Sequence, residues 1–217
     1  MLQTVTTNIS IITNFGCYNN CWYCIWKKHS LKDTPQVTNW GKLEEFFHIY
    51  KKYLKPIGEI PKVSVSGGGD PLYQFTKNKD WWDKLFKLAS KHKISIDIHT
   101  REILQDPGFW KNINRCVFSS DDLAEDKKFL DFVNEYTKLR ICHVATEYST
   151  DKKIKEYIDY KNVNNCQFTV KELSGFDDKG RYKEICEKYK DEVYCLDYGD
   201  YNLYFMPNST ITRKFDF

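Results

Sequence analysis

The stretch that decides the fold is Cys17-Tyr18-Asn19-Asn20-Cys21-Trp22-Tyr23-Cys24, which follows directly on an apolar run at residues 9–15. The apolar run predicts a short strand, and the three cysteines then lie in the loop at its carboxyl end. Their C-x3-C-x2-C spacing can hold three corners of a [4Fe-4S] cube and leave the fourth iron without a protein ligand. An open metal position is typical of catalytic sites, whereas structural sites are closed. The loop therefore indicates a catalytic iron–sulfur centre.

A second motif follows about forty residues later, where a strand-like run at 62–66 leads into Gly67-Gly68-Gly69-Asp70-Pro71. In this order the two motifs resemble those of the radical S-adenosylmethionine (SAM) superfamily, whose cluster loop has an aromatic residue before its last cysteine, here Tyr23. That family uses a Gly-Gly-Glu-Pro turn whose backbone receives the amino group of SAM, and Asp70 stands here where the family usually has glutamate. The resemblance implies that the cluster ligands are Cys17, Cys21 and Cys24, and that SAM lies near Tyr23, Ser66, Gly67, Gly68, Gly69 and Asp70.

The mechanism that the resemblance implies is a radical one. The open iron binds the amino and carboxylate groups of SAM, and one electron from the reduced cluster releases methionine and a 5′-deoxyadenosyl radical. That radical abstracts a hydrogen atom from a substrate, and the electron comes from a one-electron donor such as flavodoxin or ferredoxin. The glycines agree with this role, because a backbone without side chains can approach a ligand closely.

Two other uses of the cysteines compete with this interpretation. A zinc site needs a fourth ligand, and the nearest candidate is His29, which gives a spacing unlike that of zinc modules and leaves the glycine turn unexplained. Disulfides are disfavoured because the N-terminus shows no secretory signal, so the eight cysteines indicate a reducing cytoplasm. Most of the other five are expected to be buried as small hydrophobic residues. These are Cys116, Cys142, Cys166, Cys186 and Cys195.

Length and composition favour a single domain over residues 1–217, with hydrophobic residues making up 41% of the chain. No stretch approaches the roughly 20 apolar residues of a membrane span. The 33 basic and 30 acidic residues are well mixed and give a net charge of +3, which does not indicate a nucleic-acid-binding protein. We therefore expect neither DNA nor a membrane as a partner.

Predicted strands alternate with predicted helices along the whole chain, which indicates a parallel α/β sheet or barrel. The strands are expected at 9–15, 62–66, 94–100, 115–120, 139–146 and 166–173, and the helices at 42–54, 80–92, near 103–112, 122–137, near 151–160 and 178–190. Six units are too few for an eight-unit barrel. They match the open (β/α)6 partial barrel of the TIM type that the resemblance implies.

Residues 191–217 are expected to form a terminal β-hairpin and tail. Aromatic-rich strands at 192–198 and 201–206 flank Gly199-Asp200, which predicts the turn between them. The hairpin either closes the open side of the barrel, where it would contact substrate, or covers hydrophobic core.

Several predicted strands have one apolar and one polar face. In residues 94–100, for example, the isoleucines alternate with Ser95, Asp97 and His99. A sheet covered by helices puts its apolar face under them, so the polar residues line the interior; the alternative is an antiparallel sheet with one wet face. Because barrel chemistry lies at the carboxyl ends of strands, the further candidates are Asp97, His99, Ser119, Ser120, Asp121 and Lys171.

These candidates receive different roles. The resemblance implies a polar contact to the SAM ribose from residues 119–121, although serine and aspartate at such positions also cap helices. Lys171 is a candidate for the carboxylate of SAM or for an anionic substrate, and His99 and Asp97 for cofactor or substrate. His99 and Lys171 are the candidate catalytic side chains.

The reaction subclass is harder to assign. Small members of the superfamily include activases that install a glycyl radical on a partner enzyme and a 7-carboxy-7-deazaguanine synthase, but the residues after Cys24, Ile25-Trp26-Lys27-Lys28-His29, match neither. We expect a small, anionic or planar, nucleotide-like metabolite as substrate. The alternatives are an activase or other enzyme that modifies a protein or peptide, and a non-catalytic iron–sulfur module, although ferredoxin-like carriers use four cysteines per cluster.

Overall fold

The computed structural model describes residues 8–24, 34–53, 62–173, 177–196 and 202–212. Within these ranges one sheet of nine strands has the order β7-β6-β5-β4-β3-β2-β1-β8-β9. The strands are β1 (Asn8–Ile12), β2 (Lys62–Ser66), β3 (Ser95–Thr100), β4 (Arg115–Ser119), β5 (Lys138–Val144), β6 (Gln167–Lys171), β7 (Tyr194–Leu196), β8 (Asn202–Phe205) and β9 (Ile211–Thr212). The helices are α1 (Trp40–Tyr53), α2 (Phe75–His92), α3 (Pro107–Trp110), α4 (Leu123–Asn134), α5 (Asp151–Asn164) and α6 (Arg181–Lys188).

Strands β1 to β6 pair in parallel and in chain order, and each is followed by a helix. Parallel neighbours need such crossover connections, which a chain of hairpins does not contain. The six predicted strand–helix units are therefore confirmed, and the antiparallel alternative is wrong. The sheet stays open, as expected for a partial barrel.

The hydrophobic core lies between the outer face of the sheet and the helices. Ile96 and Ile98 of β3 and Phe168 of β6 belong to one buried cluster that also contains Trp82 and Trp110, and both tryptophans are fully buried. Burying side chains of this size stabilises the fold by about 2 kcal/mol each. The predicted inner and outer faces of β3 and β6 are thereby confirmed. In the part of the chain that the structure describes, no helix combines the length and apolar character needed to cross a bilayer.

Side-chain caps fix where two of the predicted helices begin. Asn39 Oδ1 accepts from Lys42 N at 3.1 Å at the start of α1. The Asp122 carboxylate accepts from Ala124 N and Glu125 N at the start of α4. Each cap satisfies backbone donors that lack a partner within the helix.

A C-terminal β-hairpin is present, but it joins β8 to β9, and the predicted pairing of the segments at 192–198 and 201–206 is wrong. β7 pairs in parallel with β6, and β8 pairs in parallel with β1, so the two aromatic segments lie toward opposite edges of the sheet. The only antiparallel pairing within the described ranges joins β8 to β9. An open sheet offers unpaired backbone groups at both edges, and each segment pairs with one of them. The predicted turn at Gly199-Asp200 lies outside the described residues.

One pair of cysteines also departs from expectation. Cys186 of α6 and Cys195 of β7 form a disulfide, with their Cα atoms 6.0 Å apart. The two residues come together only because α6 returns the chain to the sheet edge, so their spacing in the sequence gave no signal. Cys116 and Cys142 are free and buried as expected, whereas Cys166 is half-buried. His29, the candidate fourth zinc ligand, lies outside the described residues.

Candidate functional site

The loop after β1 carries three free, half-buried thiols, on Cys17, Cys21 and Cys24. Cys24 N donates to Cys21 O at 3.3 Å, and Asn19 N donates to the sulfur of Cys17 at 3.3 Å. Burial raises the pKa of the Cys17 thiol. Among the described residues no three Cys, His, Asp or Glu side chains are grouped so that they could hold a metal ion. Three free cysteine thiols on one loop are the donor set that could hold three irons of a [4Fe-4S] cluster, so the chemistry of the residues fits such a group.

The glycine turn after β2 docks directly on the backbone of the cysteine loop. Gly16 and Gly69 form a parallel bridge, and Asp70 N donates to Gly16 O at 2.7 Å. A Cβ atom on Gly69 would lie 2.2 Å from Gly16 O, and one on Gly68 would lie 1.6 Å from Thr13 O. Both glycines also have positive φ. The contact between the two loops therefore requires these glycines, in addition to any approach to a ligand.

Asp70 ties the glycine turn to the end of β3. Its buried carboxylate accepts from Leu72 N at 2.9 Å, from Thr100 Oγ1 at 2.7 Å and from Arg101 N at 2.7 Å. Burial raises the pKa of Asp70, although these three hydrogen bonds oppose the shift. The Asp70 side chain, one of the residues predicted to bind SAM, is thus engaged by the protein itself and positions the glycine turn.

Arg101 links the cysteine loop to the end of β4. Its Nη1 lies 2.5 Å from Asp121 Oδ2 and 3.5 Å from the sulfur of Cys21. Burial lowers the pKa of Arg101, but the negative charges of Asp121 and Cys21 outweigh it and the net shift is upward. Tyr23 belongs to the same cluster: its pKa is raised by burial and then by Asp121 and Cys21. The sequence places Arg101 at the carboxyl end of the third predicted strand, but no role was assigned to it there.

These elements form one unit, which we call the cysteine corner. It consists of residues 16–24, the glycine turn at 67–70, residues 100–101 and Asp121. Ser66 leads into it as the last residue of β2, and Ser119 ends β4 as a half-buried residue beside it. The corner unites most of the residues that were assigned to cluster and SAM.

Ser120 does not belong to this unit. It is fully buried, its Oγ donates to Asp126 Oδ2 at 2.5 Å, and it lies 3.0 Å from the hydroxyl of Tyr157. The carbonyl of Ser120 accepts a further hydrogen bond from the Tyr157 hydroxyl at 3.1 Å. To bind the ribose as predicted, Ser120 would have to exchange its hydrogen bonds with Asp126 and Tyr157 for bonds to the cofactor.

Asp97 is likewise engaged by the protein, on the inner face of β3. Its carboxylate accepts from Arg115 Nε at 3.0 Å, from Arg115 Nη2 at 2.7 Å and from Asn114 Nδ2 at 2.7 Å. Two-pronged pairing of this kind neutralises both groups in a defined geometry. Asp97 thus stabilises the interior near the amino-terminal end of β4, away from the cysteine corner.

His99 and Lys171 are brought together across the interior. Lys171 Nζ lies 3.5 Å from His99 Nδ1, although the two residues belong to β3 and β6. Burial first, and then the positive charges of Lys171, Arg140 and Arg115, hold the pKa of His99 well below its usual value. An ammonium group only donates, so Nδ1 accepts and the ring of a neutral His99 carries its hydrogen on Nε2.

An open cavity of about 560 Å³ lies at the other end of the sheet. It is lined by residues that precede or begin β4, β5 and β6, among them Asn114, Thr137 and Asn165. It contains none of the predicted site residues, and parallel α/β folds place their chemistry at the opposite ends of the strands. The cavity therefore does not belong to the candidate site.

Comparison with known proteins finds likeness in structure but not in sequence. No protein-family model matches the chain, and no curated protein matches it. Solved structures of radical SAM enzymes do share its fold. SuiB from Streptococcus suis, bound to the precursor peptide SuiA, aligns with a TM-score of 0.69 at 16% identity, over 97% of this chain and 60% of the SuiB chain.

Two further structures agree. SuiB bound to S-adenosylmethionine aligns with a TM-score of 0.64 at 15% identity, over 98% of this chain and 59% of the other. The structure of anSMEcpe with bound AdoMet and the Kp18Cys peptide aligns with a TM-score of 0.55 at 16% identity, over 87% and 63%. The chain thus has the partial-barrel fold of these enzymes and spans about three fifths of their length.

Proposed function

We propose that this chain is a radical SAM enzyme that modifies a peptide or protein. The observation that carries the proposal is the cysteine corner: three free cysteines on the loop after β1, docked through glycines on the turn after β2. This corner lies at the carboxyl ends of the strands of a fold that the chain shares with solved radical SAM enzymes. A non-catalytic iron–sulfur carrier explains the cysteines but gives no reason for the glycine turn.

The residues of the corner receive specific roles. Cys17, Cys21 and Cys24 hold the [4Fe-4S] cluster, and the backbone of residues 67–69 binds the methionine end of SAM. When bound, the reduced cluster and SAM supply a 5′-deoxyadenosyl radical that abstracts hydrogen from the substrate. Arg101 places a positive charge beside Cys21, where a thiolate ligand needs it. Asp121 and Ser119 are the polar side chains at the end of β4 that we assign to the ribose.

A peptide or protein substrate has more support than the small metabolite favoured by the sequence. SuiB and anSMEcpe were both solved with peptides bound, and nothing in the comparisons points to a planar metabolite. The cysteine loop itself exposes large aromatic side chains: Tyr18 is 67% and Trp22 58% exposed. Such side chains are suited to contacting a partner chain. A flavodoxin or ferredoxin as electron donor is part of the proposal. A reducing, cytoplasmic setting is part of it too, because the three cluster ligands must be free thiols, and the Cys186–Cys195 disulfide is then an exception to the usual state of cysteines in that setting.

The first test is reductive cleavage of SAM. The chain is reconstituted anaerobically with iron and sulfide, given SAM and dithionite, and assayed for 5′-deoxyadenosine. We expect product from the wild type and from Cys116→Ala, which removes a buried free cysteine of β4, and none from Cys24→Ala. Wild-type product no higher than that of Cys24→Ala contradicts the proposal.

The second test addresses the substrate. The reconstituted chain is incubated with SAM, dithionite and a peptide encoded beside its gene, and the peptide is analysed by mass spectrometry. A change in peptide mass that requires SAM supports the proposal. A SAM-dependent change confined to the small-molecule fraction of a cell extract contradicts it and restores the metabolite hypothesis.

A further inference from the structure

The interior of the partial barrel carries a group of basic and polar side chains outside the cysteine corner. Arg140 and Cys142 of β5 point inward, as do Thr169 and Lys171 of β6, and His99 faces them from β3. The strand register pairs Arg140 with Gln167 and Cys142 with Thr169. Since side chains two residues apart share one face of a strand, these groups form two adjacent rows. We call Arg140, Cys142, Thr169, Lys171 and His99 the cationic face.

Arg140 has hydrogen-bond donors to spare. Its Nε donates to Gln167 Oε1 at 2.8 Å, and the same oxygen accepts from Arg115 Nη1 at 3.3 Å. Its guanidinium also lies 5.6 Å from the ring centre of Tyr194. Over the ranges that the structure describes, Arg140 has no carboxylate partner, and its Nη1 and Nη2 make no hydrogen bond. Two parallel N–H groups of this kind match the two oxygens of a carboxylate.

Thr169 gives a second, independent observation. It is completely buried, and its hydroxyl has no hydrogen-bond partner among the described residues. Leaving a buried hydroxyl unsatisfied costs about 1 to 3 kcal/mol, so native structures rarely do so without a reason. This hydroxyl lies in the row between Gln167 and Lys171, on the face that Arg140 occupies in the neighbouring strand. A polar ligand in the interior would satisfy it.

Several basic side chains lie on the inner face of the described strands. Asp97 pairs with Arg115, and Arg140 and Lys171 lie on the same face of β5 and β6. Burial lowers the pKa of Arg140, and the charge of Arg115 lowers it further. The pKa of His99 is lowered by burial and by the same surrounding cations. Burial is the largest cause of both shifts and the neighbouring cations add to it, although Asp97 opposes the shift of Arg140; an anion bound beside these cations would be favoured.

We propose that the cationic face binds a carboxylate of the substrate, so that the modified peptide presents an aspartate, a glutamate or its C-terminus to the barrel interior. Arg140 binds both oxygens through Nη1 and Nη2, Thr169 donates its hydroxyl, and Lys171 adds charge. Naming the ligand as a substrate rests on the proposed function, whereas carboxylate binding does not. The other source of the same chemistry is the carboxylate of SAM, which the test must separate.

The test uses glutarate as a carboxylate probe and glutaramide as its neutral counterpart. Thermal unfolding of the reconstituted protein is followed at constant ionic strength, because a ligand that binds only the folded state raises the midpoint. We expect glutarate, and not glutaramide, to raise the midpoint of the wild type. Arg140→Met should weaken glutarate binding at least about tenfold, since hydrogen bonds to charged groups contribute roughly 1.5 to 3 kcal/mol. Lys155→Met removes one charge from an exposed site on α5 and should bind glutarate like the wild type.

Thr169→Val separates ligand binding from folding. Valine has nearly the same shape and removes a hydroxyl that has no partner, so the midpoint without ligand should equal or exceed that of the wild type. Glutarate affinity should nevertheless fall about fivefold with the lost hydrogen bond. Equal shifts by glutarate and glutaramide in the wild type, or an unchanged glutarate affinity in Arg140→Met, overturn the proposal.

Competition with SAM identifies the source of the carboxylate. If the substrate supplies the carboxylate, the affinity for glutarate at saturating SAM should stay within about threefold of its value without SAM. Such a change corresponds to less than about 1 kcal/mol of binding free energy. If the apparent dissociation constant rises in proportion to the SAM concentration, SAM occupies the cationic face and the substrate assignment is overturned. Glutarate binding that depends on Arg140 in a protein that forms no 5′-deoxyadenosine supports the carboxylate site and contradicts the proposed function instead.

Discussion

The cysteine corner and the cationic face differ in how completely the protein satisfies their polar groups. In the corner, Asp70 accepts from three donors and Arg101 is held by Asp121. On the cationic face, the terminal nitrogens of Arg140 and the hydroxyl of Thr169 have no partner among the described residues. The corner is therefore fixed by its own chain, whereas the face has donors ready for a ligand. We infer that the first region makes the radical and the second holds its target.

The largest effect is expected from breaking the corner at Gly68. A Cβ atom there would lie 1.6 Å from Thr13 O, so Gly68→Ala must separate the glycine turn from β1. We expect it to cost more than about 4 kcal/mol of unfolding free energy or to prevent folding. Urea denaturation measures the loss.

The matched control is Gly180→Ala. Gly180 also has a positive φ, of 76°, but nothing lies within 4 Å of its added Cβ atom. Only the cost of a left-handed backbone remains, about 1 to 2 kcal/mol. Equal losses in the two variants would mean that the close contact with Thr13 does not constrain the corner.

A smaller effect is expected from Asp70→Asn. An amide retains one acceptor oxygen, so one of the donors now bound to the carboxylate loses its acceptor. An unsatisfied buried donor costs about 2 kcal/mol. The free energy of unfolding should fall by this amount, as measured in urea.

The control for Asp70→Asn is Asp83→Asn. Asp83 is partly exposed on α2, and its partner among the described residues is Lys79, an interaction that contributes less than about 0.5 kcal/mol. If Asp70→Asn is as mild as Asp83→Asn, the carboxylate does not hold the turn to β3.

A third prediction compares two threonine hydroxyls, one with a hydrogen-bond partner and one without. Thr137 Oγ1 donates to Ile113 O at 2.6 Å, whereas Thr169 Oγ1 has no partner in the part of the chain described. Thr137→Val should therefore destabilise the fold by about 1 kcal/mol, and Thr169→Val should not destabilise it. Calorimetric midpoints of the ligand-free protein decide this, and a comparable loss in both variants contradicts an unfilled site at Thr169.

The smallest effect is a pH dependence carried by His99. Its pKa is lowered in the folded state by burial and by Lys171, Arg140 and Arg115. Below about pH 6.5 the unfolded chain takes up a proton that the folded chain does not, so stability present above this pH is lost as the pH falls. Between pH 6.5 and 5.5 the loss should be about 1 kcal/mol for this residue.

Urea titrations at several pH values measure that slope. The variant His99→Gln should lack the part of the slope that His99 contributes. His143 adds a slope of the same sign, because burial lowers its pKa as well. A slope that is the same in His99→Gln and the wild type means that His99 does not face the cations.

The sequence predicted the part of this molecule that depends on local pattern. Alternating residues gave the two faces of β3 and β6, and the motifs gave the two loops of the cysteine corner. Pairing at the edges of the sheet was mispredicted, because β7 and β8 have the composition of hairpin strands and nothing local says which edge each will join. The Cys186–Cys195 disulfide was missed for the same reason.

Site residues followed a similar division. The sequence pointed to residues at or near strand ends but not to the partners of their side chains: the candidates Asp97 and Ser120 are hydrogen-bonded to Arg115 and Asp126 in the structure. Arg140 was overlooked although it alternates with Leu139 and Ile141 in β5, the same signal that identified His99. Whether a polar side chain finds its hydrogen-bond partners within the protein depends on residues that are distant in the sequence, so a local pattern does not show it.

The most direct test of the account is the electron paramagnetic resonance spectrum of the reconstituted, dithionite-reduced protein with and without SAM. We predict the signal of one [4Fe-4S] cluster per chain, changed by SAM and absent from Cys21→Ala. A cluster signal that SAM leaves unchanged would contradict an open iron at the cysteine corner, and with it the assignment of this chain as a radical SAM enzyme.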